Sequence, residues 1–286
     1  MHGTRYTTPM RRGSRLAVGL LALFTSAACG PSDRSSDTVT GADAGDGDGD
    51  GDGDTEHADA RRPQAAEMYV HSNDTLYVVD DQNFDLVTVG PLGMPDGEGL
   101  TDLAVTPDGS LYGISGKSLY EVSPINGATT HIGMVPGELN VGLTFLPDGT
   151  LLATDKTGGV RRVDPADGSI VEVGAFGEPY ATAGDLVAVA DGTMYAISDQ
   201  GPNGDEEESN LLLVVDPVSG EAIEPIGQIG YGRVFGCAYA GGKVYAFTDT
   251  GDIIEIDRTT GAGSLKRSFG DMSFWGAAVT PSVQVD

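Results

Sequence analysis

The stretch LAVTPDGSLYGIS, residues 103–115, consists of an apolar segment, an Asp-Gly turn and a second apolar segment. Asp-Gly provides the positive φ that a tight connection between antiparallel strands requires. Forty residues later, LTFLPDGTLLATD (residues 143–155) repeats the same pattern. A hairpin that recurs at a regular spacing predicts a fold made of repeated β units.

The repeated unit contains four predicted strands, which we name A, B, C and D. Strand A begins at Thr101, Val141, Gly184, Phe235 and Trp275, and strand B begins at Met68, Leu111, Leu151, Met194 and Val244. Strand C mostly runs into a reverse turn, such as DPADG at 164–168, and a short strand D follows. No window has sustained helical periodicity, so these units predict an all-β domain.

The order of strands at the two ends of the repeats predicts a closed ring. The repeats begin with a B strand at residue 68 and end with an A strand at residues 275–280, so the last strand can complete the first sheet. Four-stranded units recurring about every 44 residues predict a five-bladed β-propeller over residues 67–286, its first blade closed by the C-terminal strand. An open stack of hairpins is the alternative, and it would leave an unpaired edge at each end.

These units resemble the NHL, YVTN and SMP-30-type propeller repeats, in which LAV-PDG-LYV-D continues into V-V-DP--G. The resemblance extends over about 220 residues. It implies the blade architecture but leaves the activity open, because such repeats serve lactonases, lyases and binding scaffolds alike.

The residues before the repeats resemble an export signal. Arginines precede the apolar run LAVGLLALFTSAAC at 16–29, which is short for a membrane span. The run ends in TSAACG, which resembles the lipobox of bacterial lipoproteins and implies removal of residues 1–28 and lipidation of Cys29. Ser26 stands where that family usually has Leu, and ordinary signal cleavage with an incidental Cys29 is the alternative. The expected location is the bacterial cell envelope, at the outer membrane or cell surface rather than the inner membrane.

Residues 29–66 are expected to form a disordered tether. They are rich in Gly, Asp, Ser, Thr and Ala, with GDGDGDGDGD at 45–54, and offer almost no large apolar side chain to bury. The alternation of Asp and Gly also matches the ligand spacing of an EF-hand calcium loop. Because any strict Asp-Gly alternation matches that spacing in several registers by accident, a tether is the better interpretation.

The chain is strongly acidic, with 43 acidic and 16 basic residues and a net charge of −27. Signal cleavage would remove four arginines and no acid, which makes the net charge −31. Such a chain repels nucleic acid and anionic lipid head groups, so we expect membrane contact through the lipid anchor alone. The expected partner is a protein, a glycan or a cell-envelope component on the acidic face of a monomeric propeller.

The predicted acidic face is the one that carries the D-to-A and B-to-C connections. Four D-to-A loops place a carboxylate near the channel mouth: Glu98, Glu138, Glu178 and Asp271. A ring of carboxylates favours a bound cation, and oxygen ligands favour Ca²⁺ over zinc. The alternative is that these carboxylates are solvated loop residues, which recur only because the repeats share one ancestral sequence. Arg233 lies near the same mouth, and Asp102, Asn140 and Asp185 near the starts of A strands complete the predicted ligand-binding set.

The insertion SDQGPNGDEEESN, residues 198–210, lies on the same predicted face. Its residues Asp199, Asn203, Asp205 and Glu207 match positions of a calcium loop, whereas Gly201 lacks the ligand expected at the third position. The alternative is an acidic surface loop that is not a calcium site.

Several other residues are predicted to be structural. Cys237 is expected to be a small buried thiol, and no other cysteine would remain for a disulfide in the mature chain. The aromatic residues after the A-to-B turns, such as Tyr112 and Tyr245, are expected to pack between blades. His71 and His131 lack a spaced partner and are expected in the core or on the surface.

Two functions therefore remain open. The favoured one is a non-catalytic binding or scaffold lipoprotein, with calcium as the cofactor considered. The second is a metal-dependent lactonase or lyase, as the SMP-30 resemblance implies, with oxygen ligands from Glu98, Asn140 and Asp185. No catalytic partner for that trio stands out, and five blades differ from the six usual for those enzymes. A glycosidase with paired carboxylates is a weaker third option.

Overall fold

The structure, a computed structural model, describes residues 67–137, 139–199 and 209–279. These residues form twenty strands in five four-stranded antiparallel sheets, which we number as blades 1 to 5. Among them no helix is long and apolar enough to cross a membrane. The predicted all-β class is confirmed.

The strands follow one another blade by blade. Blade 1 contains β1 (Met68–His71), β2 (Thr75–Val79) and β3 (Leu86–Pro91), and blade 2 contains β4 (Leu100–Val105), β5 (Leu111–Ser115), β6 (Ser118–Val122) and β7 (Thr129–Met134). Blade 3 contains β8 (Asn140–Phe145), β9 (Leu151–Asp155), β10 (Gly159–Val163) and β11 (Ile170–Ala175). Blade 4 contains β12 (Thr182–Ala188), β13 (Met194–Ser198), β14 (Leu211–Val215) and β15 (Ala222–Gln228). Blade 5 contains β16 (Val234–Ala240), β17 (Lys243–Thr248), β18 (Asp252–Ile256) and β19 (Gly263–Ser268), after which β20 (Gly276–Val279) returns to blade 1.

The ring closes as the strand order predicts. Strand β20 pairs antiparallel with β1, from Met68 opposite Val279 to His71 opposite Gly276. The inner strands β4, β8, β12, β16 and β20 contact one another in that order, and β20 also contacts β4. The five-bladed propeller with a first blade completed by the C-terminal strand is therefore confirmed.

The repeated Asp-Gly element has the backbone geometry predicted for it. Gly109, Gly149 and Gly192 have φ values of 91°, 86° and 90°, in the left-handed region that only glycine adopts without strain. The turn therefore requires glycine at this position. The aspartate before it recurs as part of the same turn and does not by itself indicate a ligand site.

The core lies between neighbouring blades. The ring of Tyr112 lies 5.4 Å from that of Phe145 in the next blade, and the ring of Tyr245 lies 5.5 Å from that of Phe84 across the junction of blades 5 and 1. These contacts confirm the interblade packing predicted for the aromatic residues after the turns. Cys237 is also buried as predicted, with a free thiol.

Candidate functional site

A cavity of about 370 Å³ opens where the D-to-A and B-to-C connections lie, and we call it the funnel. All five blades contribute to its wall: Trp275 from blade 1, Thr101 from blade 2, Leu139, Val141 and Lys156 from blade 3, Thr182, Ala183, Gly184, Asp199 and Asn210 from blade 4, and Arg233 and Phe235 from blade 5. The sequence-predicted residues Asp199 and Arg233 are therefore brought together here. The aromatic residues of the wall were not predicted as site residues.

Two aromatic rings form one wall of the funnel. The rings of Phe235 and Trp275 are stacked, with centroids 5.5 Å apart and planes within 11° of each other. Trp275 is the only tryptophan of the chain, and it is 37% exposed although the neighbouring Phe274 is fully buried. The backbone N–H of Trp275 donates to the carbonyl oxygen of His71 at 3.0 Å, which fixes the start of this segment. The wall is thus a rigid aromatic surface that faces solvent.

Four described side chains carry formal charges at the funnel. Arg233 donates through Nε to both carboxylate oxygens of Asp249, at 2.7 and 2.9 Å. Lys156 and Asp199 carry the other two described charges near the wall, and Lys156 forms no salt bridge within the described part of the chain. Two of these four groups are positive and two are negative, whereas Glu138 and the acidic residues 205–208, which lie near wall residues in the sequence, are outside the described residues.

Below the funnel, the inner strands carry a layer of aspartates and glycines. The equivalent positions of the five blades are Asp102, Gly142, Asp185, Gly236 and Gly276. The residues that precede this layer line the funnel, whereas those that follow it line a separate cavity of only about 20 Å³. The aspartate–glycine layer therefore closes the central channel.

Each aspartate of the layer bridges two blades. Asp102 accepts hydrogen bonds from the backbone N–H of Leu103 at 2.8 Å and from that of Leu143 in blade 3 at 2.6 Å. Asp185 accepts from the N–H of Leu186 in its own strand and from that of Cys237 in blade 5, both at 2.5 Å. The glycine that leaves room for the Asp102 carboxyl group is Gly276 in blade 1, where a Cβ atom would lie 2.7 Å from Oδ1.

The two carboxyl groups also contact each other and share a proton. Both Asp102 and Asp185 are fully buried, and burial raises the pKa of each carboxyl group above its ordinary value. The charge of Asp185 raises the pKa of Asp102 further, so the pair retains at least one proton at neutral pH, with Asp102 donating to Asp185. Burial and the two carboxyl groups likewise raise the pKa of the Cys237 thiol.

His71 lies beside this pair and is neutral. Its Nδ1 donates to the carbonyl oxygen of Ser72 at 2.8 Å, and burial lowers its pKa to about 4. Its Nε2 has no hydrogen-bond partner in the described part of the structure. The position of Nε2 is close to the backbone of Gly276, since a Cβ atom there would lie 2.8 Å from Nε2 and 2.7 Å from Oδ1 of Asp102. His71 is thus a buried core residue, which is one of the two placements that the sequence left open.

Replacing Gly276 by alanine is expected to destabilise the fold by about 1–3 kcal/mol, the usual cost of overpacking. The added Cβ would lie 2.6 Å from the backbone Cα of Asp102, which cannot move without displacing the inner strand. Gly270→Ala, in the same segment but with open space around the new Cβ, is the matched control. Urea denaturation of both variants measures the difference, and equal midpoints would show that the layer is loosely packed.

Three of the four residues of the predicted acidic ring, Glu98, Glu178 and Asp271, are described, and none of these three lines the funnel. Glu98 is exposed and accepts hydrogen bonds from the hydroxyls of Tyr120 at 2.6 Å and Ser115 at 3.3 Å, within its own blade. Glu178 and Asp271 are exposed and do not line the funnel. Cys29, Glu138, Asn203, Asp205 and Glu207 lie outside the described residues. The described ranges contain no group of three or more His, Cys, Asp or Glu side chains that could hold a metal ion, and calcium binding stays a prediction.

Asn140 belongs to a buried polar cluster that sequence reasoning missed. Its Oδ1 accepts from Nη1 of Arg161 at 3.0 Å, and its Nδ2 donates to the carbonyl oxygens of Gly116 and Val135. Arg161 also forms a buried ion pair with Asp155 and a second, 3.2 Å pair with the exposed Glu172. A signal for this cluster exists, because Arg161 occupies the strand-C position that is Tyr77, Tyr120, Leu213 and Ile254 in the other blades.

Comparison with known proteins bears on the fold alone. No protein-family model and no curated protein sequence matches the chain. A chain in the crystal structure of a nidogen/laminin complex superposes with a TM-score of 0.53 at 11% identity, covering 76% of this chain and 99% of that one. A protein of unknown function from Bacteroides thetaiotaomicron gives a TM-score of 0.45 at 16% identity, covering 71% of this chain and 58% of that one. The first likeness supports the β-propeller architecture.

Proposed function

We propose that this propeller is a non-catalytic binding module and that the funnel is its ligand site. The observation that carries the proposal is the convergence of all five blades on a cavity of about 370 Å³ whose wall exposes the chain's only tryptophan. Small-molecule sites commonly have volumes of about 300–1,000 Å³, with apolar and aromatic walls and a few polar groups. A ligand that binds at such a mouth would bury the exposed apolar surface of the stacked tryptophan, which favours binding.

The arrangement favours binding over the lactonase or lyase alternative. That alternative requires Glu98, Asn140 and Asp185 to converge on one ion, but their oxygen atoms are engaged with different partners. Glu98 accepts from hydroxyls of its own blade, Asn140 accepts from Arg161, and Asp185 accepts from backbone amides in the closed layer. Among the described residues, the funnel wall offers one acidic side chain, Asp199.

Ligand binding in the funnel is expected to change the fluorescence of Trp275, since no other tryptophan contributes to the signal. The test uses a panel of four probes: methyl β-glucopyranoside, benzoate, tetramethylammonium and Ca²⁺. At least one is expected to change the fluorescence saturably and to raise the unfolding temperature, because a ligand that binds only the folded state stabilises it.

Two variants locate the binding event. Trp275→Ala is expected to remove the rise in unfolding temperature produced by the active probe. Val218→Ala, at an 84% exposed turn residue away from the funnel, is expected to retain it. A panel in which no probe changes either signal, or an equal response of Trp275→Ala and the wild-type chain, would contradict the proposal.

We further propose that the module is exported and held at the cell envelope through a lipid on Cys29. The support is the lipobox-like sequence TSAACG and the Gly/Asp-rich segment that follows it. Changing Cys29 to alanine is expected to release the protein from the membrane fraction of a bacterial host into the aqueous fraction. Metabolic labelling with a fatty acid checks the same residue, and label that persists on Cys29→Ala would contradict lipidation.

A further inference from the structure

The shape of the aromatic wall limits which ligands the funnel can hold. The ring of Phe235 is stacked parallel to that of Trp275, so a ligand can stack only on the indole face that Phe235 leaves uncovered. An aromatic face carries partial negative charge and attracts the partially positive hydrogens of C–H groups laid flat against it. A pyranose ring has such a C–H face, and its hydroxyl groups project from the ring edge.

The charges that the structure describes at the funnel favour an uncharged ligand over an anion or a cation. Arg233 is paired with Asp249, and the charges of Lys156 and Asp199 oppose each other around the same mouth. An anion would also have to approach a chain of net charge −27, which repels it over several ångströms. A cation would meet the Lys156 ammonium group on the exposed part of the wall.

The polar groups of the wall match hydroxyl groups, which donate and accept at once. Lys156 is exposed and supplies donors, and the hydroxyl oxygen of the partly exposed Thr101, which donates to a backbone carbonyl, keeps a lone pair that can accept. Asn210 and Thr182 also line the wall but are buried, and Asn210 is held by its Oδ1, which accepts from the N–H of Val234 at 2.8 Å. A donor and an acceptor therefore lie in the same wall as the aromatic surface.

We infer that the ligand of the funnel is a carbohydrate, bound with the C–H face of one pyranose ring against Trp275. This inference rests on the proposed binding function and names its ligand class. The net charge of the chain disfavours an aromatic anion and the Lys156 ammonium group disfavours a quaternary ammonium ion, although both could use the same indole face.

The experiment compares ligands that differ in one property. Methyl β-glucopyranoside, methyl β-galactopyranoside and N-acetylglucosamine are titrated into the full-length chain, and calorimetry and Trp275 fluorescence are recorded. Sorbitol is the matched control, because it carries hydroxyl groups like those of glucose but has no ring face. At least one pyranoside is expected to bind saturably, whereas sorbitol is not.

Variants then test the stacking contact. Trp275→Ala is expected to weaken pyranoside binding by about tenfold or more, the equivalent of one lost aromatic contact, while Trp275→Phe is expected to retain part of the affinity. Val218→Ala serves as the unaffected control, and circular dichroism establishes that each variant is folded.

The outcomes separate this inference from the proposed function. Saturable binding of benzoate or tetramethylammonium without any pyranoside would overturn the carbohydrate inference and leave the funnel as a ligand site. Equal pyranoside affinity in Trp275→Ala and the wild-type chain would overturn the stacking geometry. Sorbitol that binds as well as the pyranosides would show that no ring face is recognised. Failure of every probe would overturn both proposals.

Discussion

Replacing Arg161 by alanine is expected to lower the free energy of unfolding by about 3–5 kcal/mol, the loss typical of removing one partner from a buried ion pair. The Arg161 side chain is only 6% exposed and that of its partner Asp155 only 5%. Without the guanidinium group, the Asp155 carboxylate and the Oδ1 atom of Asn140 would remain buried with fewer hydrogen bonds. Urea denaturation of the full-length chain measures the loss.

A variant that replaces the whole cluster tests this explanation. In blade 4 the positions of Asn140, Asp155 and Arg161 are occupied by Thr182, Ser198 and Leu213. The triple variant Asn140→Thr, Asp155→Ser, Arg161→Leu is therefore expected to recover much of the stability lost in Arg161→Ala, because no buried charge is left without a partner. A loss below about 1 kcal/mol in Arg161→Ala, as for an exposed ion pair, would refute the explanation.

The second large effect is a loss of stability as pH rises through the range in which the Asp102–Asp185 pair retains its proton. Both carboxyl groups have pKa values above those of the unfolded chain, so the folded state holds more protons over that interval. The contribution of this pair to the free energy of unfolding is therefore largest below pH 4. As the pH rises above that value, the contribution falls by about 1.4 kcal/mol per pH unit for each proton that the folded state retains. Between pH 5 and 7 one retained proton corresponds to about 3 kcal/mol.

Asp102→Asn isolates this contribution. The amide is neutral at every pH and can donate to Asp185 in place of the protonated carboxyl group. The slope of unfolding free energy against pH is therefore expected to become shallower by about 1.4 kcal/mol per pH unit. Asp96→Asn makes the same substitution at an exposed position and controls for the loss of one carboxyl group from the chain. Identical slopes for Asp102→Asn and Asp96→Asn between pH 5 and 8 would contradict a shared proton.

The candidate site was only partly predictable from the sequence. Asp102, Asp185, Asp199 and Arg233 could be assigned to one face because the blade register determines which connections lie there. The function of the two aspartates could not be predicted, because it depends on amides of other blades, at Leu143 and Cys237, and on Gly276, which leaves room for the Asp102 carboxyl group. The aromatic wall was missed although the first residues of two successive A strands are Phe235 and Trp275.

The five-bladed architecture was determined by the sequence itself. Blades 2 to 5 repeat a hairpin whose turn contains glycine at positive φ, and the B-strand start and A-strand end fix how the ring closes. These constraints depend on local sequence or on strand order, and the repeats show them several times in one chain. Which side chains meet at the channel, which carboxyl group keeps a proton and which arginine replaces an apolar residue were decided by the tertiary structure alone. Those properties arise from burial and from contacts between blades far apart in the chain, and no local pattern encodes them.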